Sequence, residues 1–227
     1  ALGGFLVLAT CGLLAWPVAR LFGIPAKTLV PPMLFNNSGN IGLPLAVLAW
    51  GESALPAAVV LFMVENTLHF SFGARLLDPT TRLLTLWRVP VLFAAMAGLA
   101  VAFFKIPVWS PLLTAIKMLG EISVPLLLFA LGVRMTDVSF RDWKLALGSA
   151  LLRPLAGMLI AAGVIHLLGL QGRDAAMLFV FGALPPAVLN FLFAERYKQE
   201  PQRVASIVLI GNLAALLFLP LALAYVL

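Results

Sequence analysis

Three amides and a hydroxyl crowd into FNNSGNIGLPLA, residues 35–46, where the chain on either side is apolar. Asn36, Asn37 and Asn40 each offer two N–H donors and a carbonyl acceptor, and Ser38 adds a hydroxyl. Such groups can replace backbone hydrogen bonds that an interrupted helix loses, or they can hold a polar ligand. A second interruption lies in LFVFGALPPAVLNFLFAERY, residues 178–197, which carries Gly182, Pro185, Pro186 and Asn190. Elsewhere Glu65 and His69 stand four residues apart, with Asn66 beside the carboxylate. That pair can take part in proton or cation coupling, or it can serve only to relieve the cost of its own burial. Lys117 and Glu121 repeat the spacing; a structural ion pair and a coupling role are both open to them.

Other chemistry has little to work with. Cys11 is the single cysteine, so neither an intrachain disulfide nor a thiolate cluster is available, and it reads as a small buried hydrophobe. Apart from Glu65–His69, the histidines share no ligand spacing with each other or with a carboxylate, so no metal site and no cofactor is expected. An intramembrane hydrolase with Ser38 as nucleophile and His69 as base would need both groups within hydrogen-bond reach, and no GxSG or HExxH motif supports it. No catalytic residue is assigned. Arg153 and His166 read as span-end residues whose polar heads snorkel to the interface.

The elements that must position these groups follow from composition. Of 227 residues, 63% are hydrophobic and 11% charged, and the mean hydropathy is +1.08. So few charges cannot cover a water-soluble surface, and lipid takes up the excess apolar area. Alternating strand patterns are absent, so the backbone must satisfy its polar groups in helices. Eight spans are expected, at 2–22, 28–50, 55–74, 89–104, 111–133, 145–168, 175–194 and 204–227, forming an all-α polytopic membrane bundle. The net charge of +6 does not point to nucleic acid, because the charges sort by loop. With the first inter-span loop inside, eleven basic residues are cytoplasmic (Arg20, Lys27, Arg75, Arg82, Arg88, Arg134, Arg141, Lys144, Arg196, Lys198, Arg203) and two, Lys105 and Arg173, are outside. This predicts an external C-terminus. The chain opens Ala1-Leu2-Gly3, already inside a span, and the expectation is that N-terminal sequence is missing.

Broken backbone at membrane depth is tolerated where it is buried in protein or lines a cavity. Gly39 and Gly42 permit unwinding, Pro44 suits the first turn of a new half-helix, and Pro185 and Pro186 cannot both sit in a regular helix. Paired discontinuous helices in two halves of a chain point to a secondary-transporter site, and their half-helix N-termini attract anions. The substrate-binding candidates are therefore Asn36, Asn37, Ser38, Asn40 and Asn190.

FNNSGNIGLPLAVLAWG and ALPPAVLNFLFAERY, followed by a last helix, resemble the auxin efflux carrier family over essentially the whole chain. The resemblance implies a ten-helix inverted-repeat transporter fold with two broken, crossing helices, of which this chain corresponds to helices three to ten. Residues 1–76 would be the remainder of the first repeat, 77–88 a cytoplasmic linker and 89–227 the second repeat. It further implies elevator-type transport of small organic anions in a bacterial-type cytoplasmic membrane and a homodimer contact near the scaffold helix that carries Glu121, with proton coupling and potential-driven export both open. The nearest rival is a sodium-coupled carrier of the bile-acid symporter type, for which Glu65 is the only carboxylate near the crossing. A channel or non-transporting sensor on the same fold is a further alternative.

Overall fold

The computed structural model describes residues 1–81, 90–135 and 142–227. Arg82, Arg88 and Arg141, and most of the linker expected at 77–88, fall outside these residues. Helix α1 spans Leu2–Leu21 and is followed by α2, Ala26–Leu34. Helical structure stops there. Residues 35–37 leave it, and the chain re-enters through a π-helical turn, Ser38–Gly42, that runs into α3, Leu43–Trp50. A short 3₁₀ turn leads to α4, Leu55–Leu68, which passes through a second π-helical turn, His69–Gly73, into α5, Ala74–Leu77. Helices α6, Pro90–Phe103, and α7, Ser110–Met135, come next. The remainder is α8, Trp143–Leu168; α9, Gly172–Ala183; α10, Leu189–Arg196; and α11, Pro201–Val226.

Among the described residues, four helical stretches are long and apolar enough to cross a membrane: Leu2–Leu21, Glu52–Leu77, Trp143–Leu168 and Pro201–Val226. At ~1.5 Å per residue, each reaches across a hydrocarbon core of about 30 Å. The chain is an all-α membrane helix bundle.

The interior forms where α8 lies against α1, α9 and α11, and where α1 lies along α2. Leu8, Phe35, Phe181 and Leu184 belong to its largest apolar cluster. One contact sets the depth of this packing. A Cβ on Gly157 of α8 would run into the Gly182 carbonyl of α9, and a Cβ on Gly182 would run into the Gly157 carbonyl. Only glycine lets the two backbones come this close.

Helix α6 lies beside α4, and α7 approaches the π turn at 38–42. Much of α7 carries exposed apolar side chains, among them Leu113, Leu119 and Phe129. Loops assigned to one side by their charge also meet in space. Lys27 Nζ donates to the Leu77 carbonyl at 2.9 Å, the Thr28 hydroxyl donates to Glu200, and Arg203 bridges Glu200 and Asp142. At that end the Asp78 carboxylate accepts both the Thr80 hydroxyl and its N–H, which holds it below the usual carboxylate range. Arg173 donates to the Ser53 hydroxyl at 2.9 Å, joining two loops assigned to the other side.

Candidate functional site

The two interruptions meet. Asn36 and Pro186 face each other as an antiparallel β-bridge, flanked by Asn37 N–H donating to Pro185 O at 2.8 Å and Ala187 N–H donating to Phe35 O at 3.0 Å. Two short extended segments from opposite ends of the chain thus satisfy each other's backbone at a depth where water is scarce. Proline chemistry explains the second stop but not the first, where Phe35 N–H still bonds Pro31 O at 2.8 Å beyond the proline pair. Pro31 and Pro32 sit inside α2, one turn ahead of the first interruption. Pro185 and Pro186 lie within the second, where neither can donate an N–H to a helix. The sequence reading had Gly39 and Gly42 permit unwinding and Pro44 suit the first turn of a new half-helix. The structure places Gly39 and Gly42 in the π turn and Pro44 in the first turn of α3, so these residues begin the new segment and residues 35–37 form the gap.

Side chains complete the joint. Asn36 Nδ2 donates to the Phe181 carbonyl at 2.8 Å, in the last turn of α9. Asn190 Nδ2 donates to Phe35 O at 3.1 Å and to Ala187 O at 2.9 Å. Asn37 Nδ2 donates to Asn212 Oδ1 at 3.1 Å, and Asn212 Nδ2 donates to Pro186 O at 3.0 Å and Val208 O at 2.8 Å. Asn36 Oδ1 and Asn190 Oδ1 are buried without a partner. Asn40 is half-buried, four residues beyond the bridged Asn36, just as Asn190 lies four beyond the bridged Pro186.

The Glu65 group adjoins this joint. Its carboxylate accepts Ser38 Oγ at 3.3 Å and Asn66 Nδ2 at 2.9 Å on Oε2, and faces His69 Nδ1 at 3.0 Å on Oε1. Glu65 is 2% exposed and His69 1%. Ser38 therefore points at a carboxylate instead of an imidazole, and the serine–histidine bond that a hydrolase requires is not formed. Beside Ser38, a cavity of about 20 Å³ is lined by Gly42, Leu61, Phe181 and Leu184, among others. It has room for one water and is too small for a dicarboxylate.

Two residues at the joint escaped the sequence reading. Asn212 was not singled out; a lone amide in the otherwise apolar LIGNLAAL, next to Gly211, was its signal. Arg153 was assigned to a span end, and this is corrected: it lies in mid-α8, 0% exposed, with Nη1 donating to Gly182 O at 2.9 Å and Nε and Nη2 unpartnered. Its place, capping the final turn of α9, cannot be found from hydropathy, because snorkelling and burial leave the same pattern. Lys117 and Glu121 approach to 4.0 Å on α7 but are 73% and 66% exposed, and neither joins the Glu65 group. His166 is exposed near the end of α8. Among the described residues, no group of three or more His, Cys, Asp and Glu is placed to hold a metal ion.

The sequence profile of the family described as membrane transport protein matches residues 79–223, well over half of the chain. The chain belongs to that family. Relatives include auxin efflux carrier component 6 of Arabidopsis thaliana, 26% identical over 177 residues that cover 75% of this chain and 29% of the relative. The putative malonate transporter of Rhizobium meliloti (strain 1021) is 25% identical over 197 residues, covering 79% of this chain and 60% of the relative. The chain thus spans less than two thirds of the length of either. Resemblance to the auxin efflux carrier family is borne out, and the chain is a multi-pass helical member of the membrane transport protein family.

Proposed function

We propose that the protein is a secondary transporter of small organic anions and that it binds the anion's carboxylate where α2–α3 and α9–α10 meet. The observation that carries this reading is the Asn36–Pro186 bridge, which ties two interrupted helices together in the buried interior and gathers Asn36, Asn37, Ser38 and Asn190 around it. Ser38, Gly39 and Asn40 open the resumed helical segment, where the first N–H groups of a helix lack intrahelical acceptors and a negative charge is favoured. The names of the two relatives, an auxin efflux carrier and a malonate transporter, both describe carriers of organic acids.

The matched offsets, Asn36 against Pro186 and Asn40 against Asn190, support two inverted repeats, 1–76 and 89–227, that cross at the bridge. An elevator motion of the crossing helices against α6 and α7 is the transport step we favour, with a homodimer formed on the exposed α7 side and a bacterial cytoplasmic membrane as the setting. The cavity beside Ser38, at about 20 Å³, fits a state that must widen to admit its cargo. Flux of labelled malonate, other dicarboxylates and aromatic monocarboxylates into proteoliposomes tests the proposal. Uptake of at least one above empty vesicles, lost when the crossing amides are replaced, is expected; no flux with any of them would overturn it.

A further inference from the structure

We propose that Glu65 and His69 form a proton-binding site that couples a carboxylate at the crossing to a proton moving in the same direction. The inference rests on the transport reading above and deepens it. Both residues are buried within a membrane-length helical stretch, and their contacts reach both flanks of the first interruption. On one flank, Glu65 accepts the hydroxyl of Ser38, the first residue of the π turn at 38–42. On the other, the His69 ring stacks on Phe35, with centroids 4.1 Å apart and planes 6° from parallel. The Phe35 carbonyl in turn accepts Ala187 N–H and Asn190 Nδ2 across the bridge. His69 itself begins the second π turn, so one carboxylate holds the starts of both. π-Helical turns inside α-helices recur at functional sites.

The hydrogen bonds decide where a proton goes. Ser38 and Asn66 both donate to Glu65 Oε2, and His69 Nδ1 faces Oε1, so both carboxylate oxygens are engaged. An added proton therefore goes to the imidazole, with Nδ1–H held by Glu65 and the buried, unpartnered Nε2 taking the proton on its lone pair. The resulting imidazolium would lie over the face of Phe35, where the ring quadrupole favours a cation.

Neighbouring charges set the coupling. Arg153 on α8 lies within electrostatic reach of both Glu65 and Cys11 of α1. Tyr197 stacks behind Phe193 of α10, which packs on His69. Helices α3 and α6 carry no titratable residue, Lys27 of α2 is engaged with Leu77 O at the helix start, and α11 contributes the neutral Asn212. A carboxylate brought to Asn36–Ser38 adds negative charge beside Glu65 that Arg153 does not match, and a proton on His69 relieves it. Anion and proton therefore strengthen each other's binding, and the linkage is reciprocal. A merely structural pair would keep one protonation state throughout the cycle.

The test uses the whole protein in proteoliposomes with a luminal pH dye, driven by an inward gradient of labelled malonate above the pH at which malonate itself titrates. Uptake should acidify the lumen, and apparent malonate affinity should fall about tenfold per pH unit through the site's titration range. In Glu65→Gln, and in His69→Asn, which keeps a donor toward Glu65, whatever malonate flux remains should carry no proton signal and lose its pH dependence. Malonate uptake with no pH change, luminal alkalinisation, or proton movement that persists in both variants would overturn the coupling while leaving the transport reading in place. Absence of flux with every carboxylate would overturn both.

Discussion

The imidazole of His69 lies flat on the ring of Phe35, and the Phe35 carbonyl is the acceptor for two donors from the opposite half of the chain. One residue therefore joins the Glu65 group to the crossing. Phe35 is fully buried, and its ring edge also fills the space left open by Gly73. Phe35→Leu keeps the backbone acceptor but removes the stack. We expect a loss of about 1–2 kcal/mol, part lost area and part the aromatic contact itself, read by reversible unfolding in detergent. An unchanged unfolding curve would show that the stack contributes nothing.

Asn40 and Asn190 occupy matched positions but carry different burdens. From sequence alone, leucine at either would be expected to leave folding intact, since both lie in apolar spans. The structure separates them. Asn190 serves two backbone carbonyls, so Asn190→Leu should cost about 1–3 kcal/mol of stability. Asn40 is half-buried and better placed to face cargo than to hold the joint, so Asn40→Leu should melt close to wild type while losing thermal stabilisation by carboxylates. Equal melting temperatures for the two variants would count against this division of roles.

Gly157 and Gly163 sit on the same helix in opposite situations. A Cβ at 157 meets the Gly182 backbone, whereas nothing lies within 4 Å of a Cβ at 163. Gly157→Ala should destabilise by about 1–3 kcal/mol through forced separation of α8 and α9. Gly163→Ala should be neutral or gain up to about 1 kcal/mol from helix propensity. The pair controls for the general effect of adding a methyl group.

Membrane orientation can be read with single cysteines in a Cys11→Ala background. Lys198 and Glu52 are both exposed and lie in loops assigned to opposite sides. A cysteine at 198 should react with an impermeant reagent only from the cytoplasmic face, and one at 52 only from outside. The reverse pattern would invert the topology without touching the crossing.

How much of this could be read from residues alone depends on the range of the interaction. The second interruption announced itself locally, because proline removes an N–H and its ring crowds the preceding turn wherever the chain goes next. The Glu65–His69 contact was local too, one helical turn apart on a single face. What stayed hidden lies between helices: Asn36 to Phe181 and Asn37 to Asn212 span most of the chain, and Arg153 to Gly182 joins neighbouring helices at a point no pattern marks. In a water-soluble domain, a buried arginine breaks an apolar face and stands out. Here almost every face is apolar, so the pattern cannot say which side of α8 looks at lipid and which at protein. The position of the first break shows a subtler limit. Gly39, Gly42 and Pro44 mark where helix resumes, and Phe35, Asn36 and Asn37 carry no breaker of their own to mark the gap.

The glycine contact between α8 and α9 also bears on how any motion must be shared out. Two helices that touch backbone to backbone, with a guanidinium clasping the carbonyl at the seam, have no soft layer of side chains to shear. They should travel as one beam. Spin labels placed on α8 and on α9 should therefore report a constant separation under every condition that changes distances elsewhere. Bending of the second half has to be taken up past Ala183, in the few residues that lead to α10.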